Sequence, residues 1–127
     1  GMVLSNANTL LSVVLADDSA LRMEPQECSS FVNRVFHNQS DLANLGIIDA
    51  HHKLVCTPDA AKLGIDMSDR AYLNEIMATG RPSLSTFLTG RASNQAVLIS
   101  ARPMAAGDGA IRGVAYAAVR PSALLAA

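Results

Sequence analysis

The sequence predicts an α+β domain in which a long N-terminal helix and a second helix pack on a mainly antiparallel, five-stranded sheet. Two segments in the first third of the chain place apolar residues at helical spacing, and the second half contains three strand-like runs separated by Gly-containing turns. A short hairpin pattern and a third helix pattern lie between them. Strands joined by such short connections pair antiparallel, which makes a layered domain of sheet and helices the expected architecture.

Length and composition agree with a single domain that binds no nucleic acid. The 127 residues suffice for one core, and because only 4% are aromatic and none is Trp, that core must consist mainly of aliphatic side chains. The 10 Lys and Arg residues against 11 Asp and Glu residues give a formal charge of -1. The chain therefore lacks the basic surface that nucleic-acid binding requires.

The N-terminal helix is predicted over residues 3–16, where apolar side chains recur at steps of three and four. Asp17 and Asp18 end it, because carboxylates are unfavourable at a helix C-terminus. The segment carries no charge, but its Ser, Asn and Thr residues make it too polar for the ~20 apolar residues of a membrane span. The second helix begins at Pro25, which suits the first helical position, and ends within residues 37–40.

The remaining elements follow from turn residues. A hairpin is predicted from two short apolar runs joined by the polar turn 49–52, and a third helix from the candidate N-caps Asp66 or Ser68 to the C-cap Gly80. Gly-containing turns then separate three further strands. The five predicted strands cover residues 45–48, 54–56, 83–88, 96–104 and 111–119.

The last strand distinguishes the two faces of the sheet. Gly113, Ala115 and Ala117 alternate on one face and are nearly bare, whereas Tyr116 lies on the other. Because a bare face lets a helix backbone approach closely, we expect the N-terminal helix to pack there. Tyr116 then faces the third helix and Arg70.

A series of short motifs runs through the second half of the chain. The motifs are Asp69-Arg70-Ala71-Tyr72-Leu73, Thr89-Gly90-Arg91, Ala101-Arg102-Pro103, and Asp108-Gly109 with Gly113-Val114. In order and spacing they resemble Cache domains, the PAS-like extracytoplasmic sensor modules of bacterial histidine kinases, diguanylate cyclases and chemoreceptors. Upstream, Asn44 to Asp49 followed by Leu54 to Cys56 resembles the first hairpin of that family, so the resemblance covers residues 28–119.

The resemblance implies a single sensor domain of a membrane receptor. Residues 1–24 would form the N-terminal helix and its connection, residues 25–119 the sensor core, and residues 120–127 an exit segment. It further implies a periplasmic or extracellular location, flanking membrane helices outside this sequence, and a homodimer formed through the N-terminal helix. The expected function is binding of a small ligand, held between the sheet and the connecting loop.

Arg70 is the first candidate for contact with that ligand. It is expected in the first turn of its helix, where the helix dipole disfavours a cation unless an anion is bound nearby. Free N–H groups and a guanidinium together suit a carboxylate. The alternative is a solvated arginine paired with Asp66 or Asp69.

Five further candidates come from the family positions or from the shared face of the sheet. Tyr72 is alternatively ordinary core, and Arg91 and Arg102 are alternatively ordinary strand-edge residues. The complete set of ligand-binding candidates is Arg70, Tyr72, Thr86, Arg91, Arg102 and Tyr116.

The chain departs from the amino-acid-binding members of the family. Where they carry Tyr and Asp on the third strand and Asp on the last, this chain has Leu84, Thr86 and Ala118, and their Trp-Tyr pair is replaced by Tyr72-Leu73. An α-ammonium group therefore lacks its acidic partners. The placement of Arg70 therefore leaves a small organic anion or carboxylate as the expected ligand.

Cys28 and Cys56 are the only cysteines. An even count in an extracytoplasmic domain allows a disulfide, and the resemblance implies this pairing, because family members with cysteines at these two places join them. Two buried thiols are the alternative.

Neither a metal site nor a catalytic site is predicted. His51 and His52 are adjacent in a polar turn, without a Cys or carboxylate at zinc-site spacing. The chain lacks H-E-x-x-H, G-x-S-x-G and G-x-x-x-x-G-K motifs. The expectation is a protein that is not an enzyme and needs no cofactor, with a dimerisation or protein-interaction module of the same fold, without a small ligand, as the alternative.

Overall fold

The computed structural model describes residues 2–126, which form five α-helices, a short 3-10 helix and six β-strands. The helices are α1 (Met2–Ala16), α2 (Asp18–Arg22), α3 (Pro25–Phe36), α4 (Ala71–Thr79) and α5 (Pro121–Ala126), and the 3-10 helix spans Ala60–Lys62. The strands are β1 (Leu42–Asp49), β2 (Leu54–Cys56), β3 (Ser83–Leu84), β4 (Leu88–Thr89), β5 (Ala96–Ala105) and β6 (Ile111–Val119).

The strands form one antiparallel sheet in the order β2-β1-β6-β5-β3, with β4 also paired to β5. The predicted α+β class and antiparallel sheet are thus confirmed. The long strands β1, β6 and β5 lie at the centre, and short strands occupy the edges. No helix in the described part of the chain has the length and apolar character needed to cross a membrane.

The N-terminal region contains one helix more than predicted. Helix α1 ends at Ala16 because the Asp17 side chain accepts a hydrogen bond from the backbone N–H of Ala20, 3.1 Å away, and so caps α2. Helix α3 begins in the same way, since the Glu24 carboxylate accepts from the N–H of Glu27 at 2.7 Å and Pro25 follows as the first helical residue.

The sheet separates two apolar cores. On one face, α1 and α3 pack against alternate residues of β1 and β6, among them Ala115 and Ala117. On the other face, α4 packs against Ile48, Ile99 and Tyr116. The predicted assignment of the bare face to the N-terminal helix and of the Tyr116 face to the third helix is therefore confirmed.

A disulfide between Cys28 and Cys56 joins α3 to the edge strand β2, with the two Cα atoms 5.4 Å apart. The predicted pairing is confirmed, and the alternative of two buried thiols is wrong. Helix α3 lies on one face of the sheet and β2 lies at its edge. The bridge therefore links the helix to the edge strand at one side of the core that α1 and α3 form with the sheet.

Two local predictions are wrong. The predicted strand 83–88 is divided into β3 and β4, because the Ser85 hydroxyl, in place of a backbone carbonyl, accepts from the N–H of Ile99 at 2.8 Å. The N-cap of α4 is Arg70, not Asp66 or Ser68. The Asp66 carboxylate instead accepts from the N–H of Ser68 at 2.9 Å, within the turn that precedes the helix.

Candidate functional site

A small cavity lies between α4 and the sheet, beneath the turn that connects β4 to β5. Its volume is about 10 Å³, which is room for a single water molecule. The lining residues are Asn44, Met67, Tyr72, Gly90, Arg91, Ala92, Ser93, Ile99, Tyr116 and Ala118. The place is the one expected for the ligand, but the structure shows it closed.

The floor of the cavity is a buried polar pair on the sheet. Tyr116 and Asn44 lie on the neighbouring strands β6 and β1, and the Asn44 Nδ2 donates to the Tyr116 hydroxyl at 2.8 Å. Burial raises the pKa of Tyr116 far above its ordinary value. Like an ordinary tyrosine, Tyr116 is neutral at physiological pH, and it keeps its own O–H for donation to an acceptor in the cavity.

Tyr72 forms the wall that α4 contributes. Its side chain is 3% exposed, and burial raises its pKa to about 12, although the neighbouring Arg70 and Arg91 act in the opposite direction. Tyr72 belongs to the second core, as the alternative for this residue had it, and it also lines the cavity. A second neutral phenol thus borders the site.

Arg70 lies beside the cavity, although it does not form part of its lining. Its charge acts on the pKa of both Tyr72 and Tyr116, lowering each against the effect of burial. Its Nε is buried and has no hydrogen-bond partner among the described residues. A buried donor left unpaired costs about 1–3 kcal/mol, more for a charged group, so the guanidinium has unused capacity to bind an anion.

The ion pair expected for Arg70 is formed by Arg91 instead. Arg91 Nη2 donates to Asp69 Oδ2 at 2.6 Å, and Arg91 Nη1 donates both to the other oxygen of Asp69 and to the backbone carbonyl of Asp66, the latter at 2.7 Å. This bidentate contact, here named the Asp69–Arg91 clamp, ties the β4–β5 turn to the segment before α4. It also holds the pKa of the Asp69 carboxyl below its ordinary value.

The six candidates divide into two groups. Arg70, Tyr72, Arg91 and Tyr116 come together around the cavity, although Arg91 is engaged in the clamp. Thr86 does not line the cavity; it is exposed and borders a separate cleft.

Arg102 lies on the opposite face of the sheet. Its Nη1 donates to the Ser12 hydroxyl of α1 at 2.7 Å, and the neighbouring Ser100 hydroxyl likewise donates to the side chain of Asn8 on α1. The structure therefore does not bring Arg102 to the site. Its position follows from strand alternation, because Ile99 and Ala101 of β5 face α4.

Asn44 is the contributor that sequence reasoning missed. It is a lone amide within the apolar strand β1, and it is 6% exposed. A buried polar side chain among apolar neighbours must find a partner, which is the signal that would have identified it.

The residues around the cavity offer few kinds of polar group. Its polar groups are two neutral phenols, an amide, a serine and nearby guanidinium groups, and neither a carboxylate nor a histidine lines the cavity. Within residues 2–126, no cluster of His, Cys, Asp and Glu could hold a metal ion. The Arg91 guanidinium and the hydroxyls of Tyr72, Tyr116 and Ser93 are groups that can donate hydrogen bonds to a bound molecule.

Comparison with known proteins identifies the fold. No protein-family model matches the sequence, and no curated protein is significantly similar to it. Among solved structures, the sensor domain of E. coli DcuS superposes with a TM-score of 0.74 and 15% identity, covering 98% of this chain and 92% of that one.

Two further structures are longer than this chain. The sensory domain of the Campylobacter jejuni chemoreceptor Tlp3 with isoleucine bound gives a TM-score of 0.70 at 13% identity, covering 94% of this chain and 51% of that one. The sensor domain of the V. cholerae histidine kinase DctB gives a TM-score of 0.62 at 20% identity, covering 92% of this chain and 43% of that one.

These neighbours are sensor domains of histidine kinases and chemoreceptors. The chain therefore has the fold of a single Cache-type, PAS-like sensor domain, as the motif resemblance implied.

Proposed function

We propose that this chain is the extracytoplasmic, ligand-sensing domain of a bacterial transmembrane receptor and that it recognises a small carboxylate or other anion. The observation that carries the proposal is Arg70, whose buried Nε has no partner within residues 2–126 and whose charge acts on both cavity tyrosines. The fold supports it too, since the Tlp3 sensory domain, which shares this fold, is described with isoleucine, a carboxylate-bearing molecule. No catalytic role is part of the proposal.

Binding requires the cavity to open. A volume of about 10 Å³ holds one water but no organic acid, so the β4–β5 turn must move away from α4 when a ligand enters. The Asp69–Arg91 clamp is the contact that resists this movement. A ligand that binds the open arrangement better shifts the population toward it, and this differential affinity is the signal.

The signal would leave the domain through its terminal helices. Helix α1 packs on β6 and β5, and α5 follows β6 directly. We propose that two copies of the domain pair through α1, whose outer residues Ser5, Thr9, Val13 and Ala16 are exposed and carry no charge. A change in the sheet can then alter the arrangement of the paired helices.

The test compares the wild type with Arg70→Ala in a thermal-shift screen of mono-, di- and tricarboxylates. We expect at least one acid to raise the Tm of the wild type, and the Arg70→Ala variant to lose most of that ligand-induced shift, because a charge-assisted contact contributes roughly 1.5–3 kcal/mol. The matched control is Arg81→Ala, an exposed arginine just beyond the same helix, which should keep the full shift. Equal shifts in all three proteins would show that Arg70 does not bind the acid.

The second candidate is a dimerisation or protein-interaction module of the same fold, without a small ligand. The closed cavity favours it, because no organic ligand fits the arrangement that the structure shows. Failure of every acid to change the Tm of the wild type, together with self-association in solution, is the result that this candidate predicts.

A further inference from the structure

A cleft of about 390 Å³ lies between α3 and the segment that follows β2. This volume is within the range of small-molecule sites and far exceeds that of the cavity beneath the β4–β5 turn. Because α3 packs on the face of the sheet opposite to α4, the cleft is separate from the candidate anion site. The lining residues are Pro25, Gln26, Ser29, Ser30, Asn33, Thr57, Pro58, Ala60 and Leu63.

The disulfide fixes the two walls of this cleft relative to each other. Ser29 follows Cys28 on α3, and Thr57 follows Cys56 at the end of β2, so each half of the bridge is next to a lining residue. The backbone N–H of Thr57 donates to the Ser29 hydroxyl at 3.2 Å and thereby connects the two walls. The base of the cleft is therefore formed before any ligand binds.

The side chain of Thr57 is the observation that points to a ligand. The residue is only 1% exposed, and its Oγ1 is buried without a hydrogen-bond partner among the described residues. Leaving a buried hydroxyl unpaired is unfavourable for folding, and a valine of the same shape would avoid that penalty. The hydroxyl therefore has a capacity to donate and to accept that the fold itself does not use.

The polar groups around the cleft are uncharged. Hydroxyls and amides, which both donate and accept, come from Gln26, Ser29, Ser30, Asn33 and Thr57. Aliphatic surface comes from Pro25, Pro58, Ala60 and Leu63. Since no Asp, Glu, Lys or Arg is among the described residues that line the cleft, a charged ligand would lack a partner of opposite charge there.

We propose that this cleft binds a small, uncharged, polyhydroxylated molecule of the size of a monosaccharide, with the Thr57 hydroxyl at its base. Each hydroxyl of such a ligand can rotate to donate or to accept, as the hydroxyls and amides of the walls require. Its C–H surface suits the aliphatic part of the lining. The site goes beyond the proposed function, because it does not use Arg70 and shares no lining residue with the cavity.

The experiment titrates the isotopically labelled domain with D-glucose, D-galactose and myo-inositol and follows backbone amide chemical shifts by NMR. Thermal shifts are unsuitable for these probes, since sugars stabilise proteins in general through exclusion from the surface. We expect at least one probe to shift the Ser29 and Thr57 amides and to reach saturation. Cyclohexanol, which has one hydroxyl, and N-methylacetamide, which mimics a peptide group, should not bind, and D-glucuronate should bind more weakly than D-glucose because of its charge.

The variant Thr57→Val separates a binding role from a structural one. It should reduce the affinity for the sugar by about tenfold or more, while the midpoint of urea denaturation stays the same or rises, because the hydroxyl that is lost had no partner. Asn33→Ala, on the exposed side of α3, should also weaken binding and leaves the buried base unchanged. The matched control is Thr89→Val on the exposed strand β4, which should bind the sugar like the wild type.

Three results would overturn the polyol site. They are the absence of a saturable shift with every sugar and with myo-inositol, equal sugar affinity in Thr57→Val and the wild type, and binding of cyclohexanol or N-methylacetamide as strong as that of the sugars. Arg70→Ala should keep sugar binding. A carboxylate-induced rise in Tm that depends on Arg70 would still support the anion-sensing function, so the two proposals are tested separately.

Discussion

Gly46 shows how one backbone position creates room for the candidate site. It is paired with Tyr116 across β1 and β6, and a Cβ placed on it would lie 3.1 Å from the Tyr116 hydroxyl and 2.6 Å from the backbone carbonyl oxygen of Cys56. A tyrosine hydroxyl can therefore reach Asn44 only because the intervening residue has no side chain. The need for glycine is steric, since its φ angle is not positive.

We predict that Gly46→Ala destabilises the protein by about 1–3 kcal/mol, the typical cost of overpacking. The Cys56 carbonyl cannot easily move away, because that residue is held by the disulfide and by its pairing with β1. Urea denaturation measures the effect. The control is Gly107→Ala, where a new Cβ meets nothing within 4 Å, and equal midpoints for the two variants would contradict the steric argument.

Arg70 and Arg91 illustrate what a motif can and cannot assign at the residue scale. Both arginines match family positions, yet only Arg91 pairs with the Asp69 carboxylate, while the buried Arg70 Nε has no partner in the part of the chain that the structure describes. The sequence analysis left Asp66 and Asp69 as possible partners of Arg70. The β4–β5 turn places Arg91 beside the start of α4, where Arg91 and not Arg70 pairs with Asp69.

At the scale of elements, α3 and β2 form a unit held by a covalent bond. The bridge joins residues 28 positions apart, so it closes a loop that contains most of α3 and all of β1. Strand β2 has only three residues and pairs with a single neighbour, so few backbone hydrogen bonds hold it in the sheet. The disulfide adds a covalent link that holds this short edge strand in place.

We predict that replacing both cysteines by alanine lowers the free energy of unfolding by about 3–4 kcal/mol, as the chain-entropy model gives for a loop of this size. Urea denaturation with and without reductant is the measurement. Reductant should produce a similar loss in the wild type and none in the double variant. A wild type whose midpoint is unchanged after complete reduction would show that the bridge contributes nothing to stability.

At the scale of the whole molecule, α1 has two roles on different faces. Its inner face packs in the core, and its outer face is the one proposed to form the dimer. Its inner residues Ala7 and Leu11 are fully buried against the sheet, while Val13 is 46% exposed on the outer face. Removing α1 would expose the core and cost ~1.5–3 kcal/mol of stability for each large side chain that loses its burial. Because truncation would therefore destabilise the fold, it cannot test pairing by itself. A substitution on the outer face can.

We predict that Val13→Lys weakens self-association of the domain without unfolding it, because two copies would place like charges close together in the paired helices. Sedimentation across a range of concentrations measures the effect, and circular dichroism checks the fold. Ser30→Lys, on the exposed side of α3, is the matched control and should associate like the wild type. If Val13→Lys associates as strongly as the wild type, the dimer does not use this face of α1.

The sequence alone predicted α1, α3 and α4, the faces of β6 and the fold class, because each depends on local periodicity, whereas α2 and α5 were not predicted. Alternation between Ala115, Tyr116 and Ala117 already encodes which side of the sheet can accept a helix, and the structure confirms it. The division of the predicted strand 83–88 was not predictable, since it depends on a hydrogen bond between Ser85 and Ile99, two residues that only the folded sheet brings together.

The site was determined only in part by the sequence. Strand alternation and the Asp69-Arg70-x-Tyr72 motif indicated that Tyr72, Tyr116 and Arg70 belong together, because strand and helix geometry orient neighbouring side chains in a regular way. Tertiary structure decided the rest. Arg102 binds α1, Asn44 donates a hydrogen bond to Tyr116, and Arg91 pairs with Asp69. The cavity between these elements is too small for an organic ligand. Those features depend on contacts between segments distant in the chain, and no local pattern records such contacts.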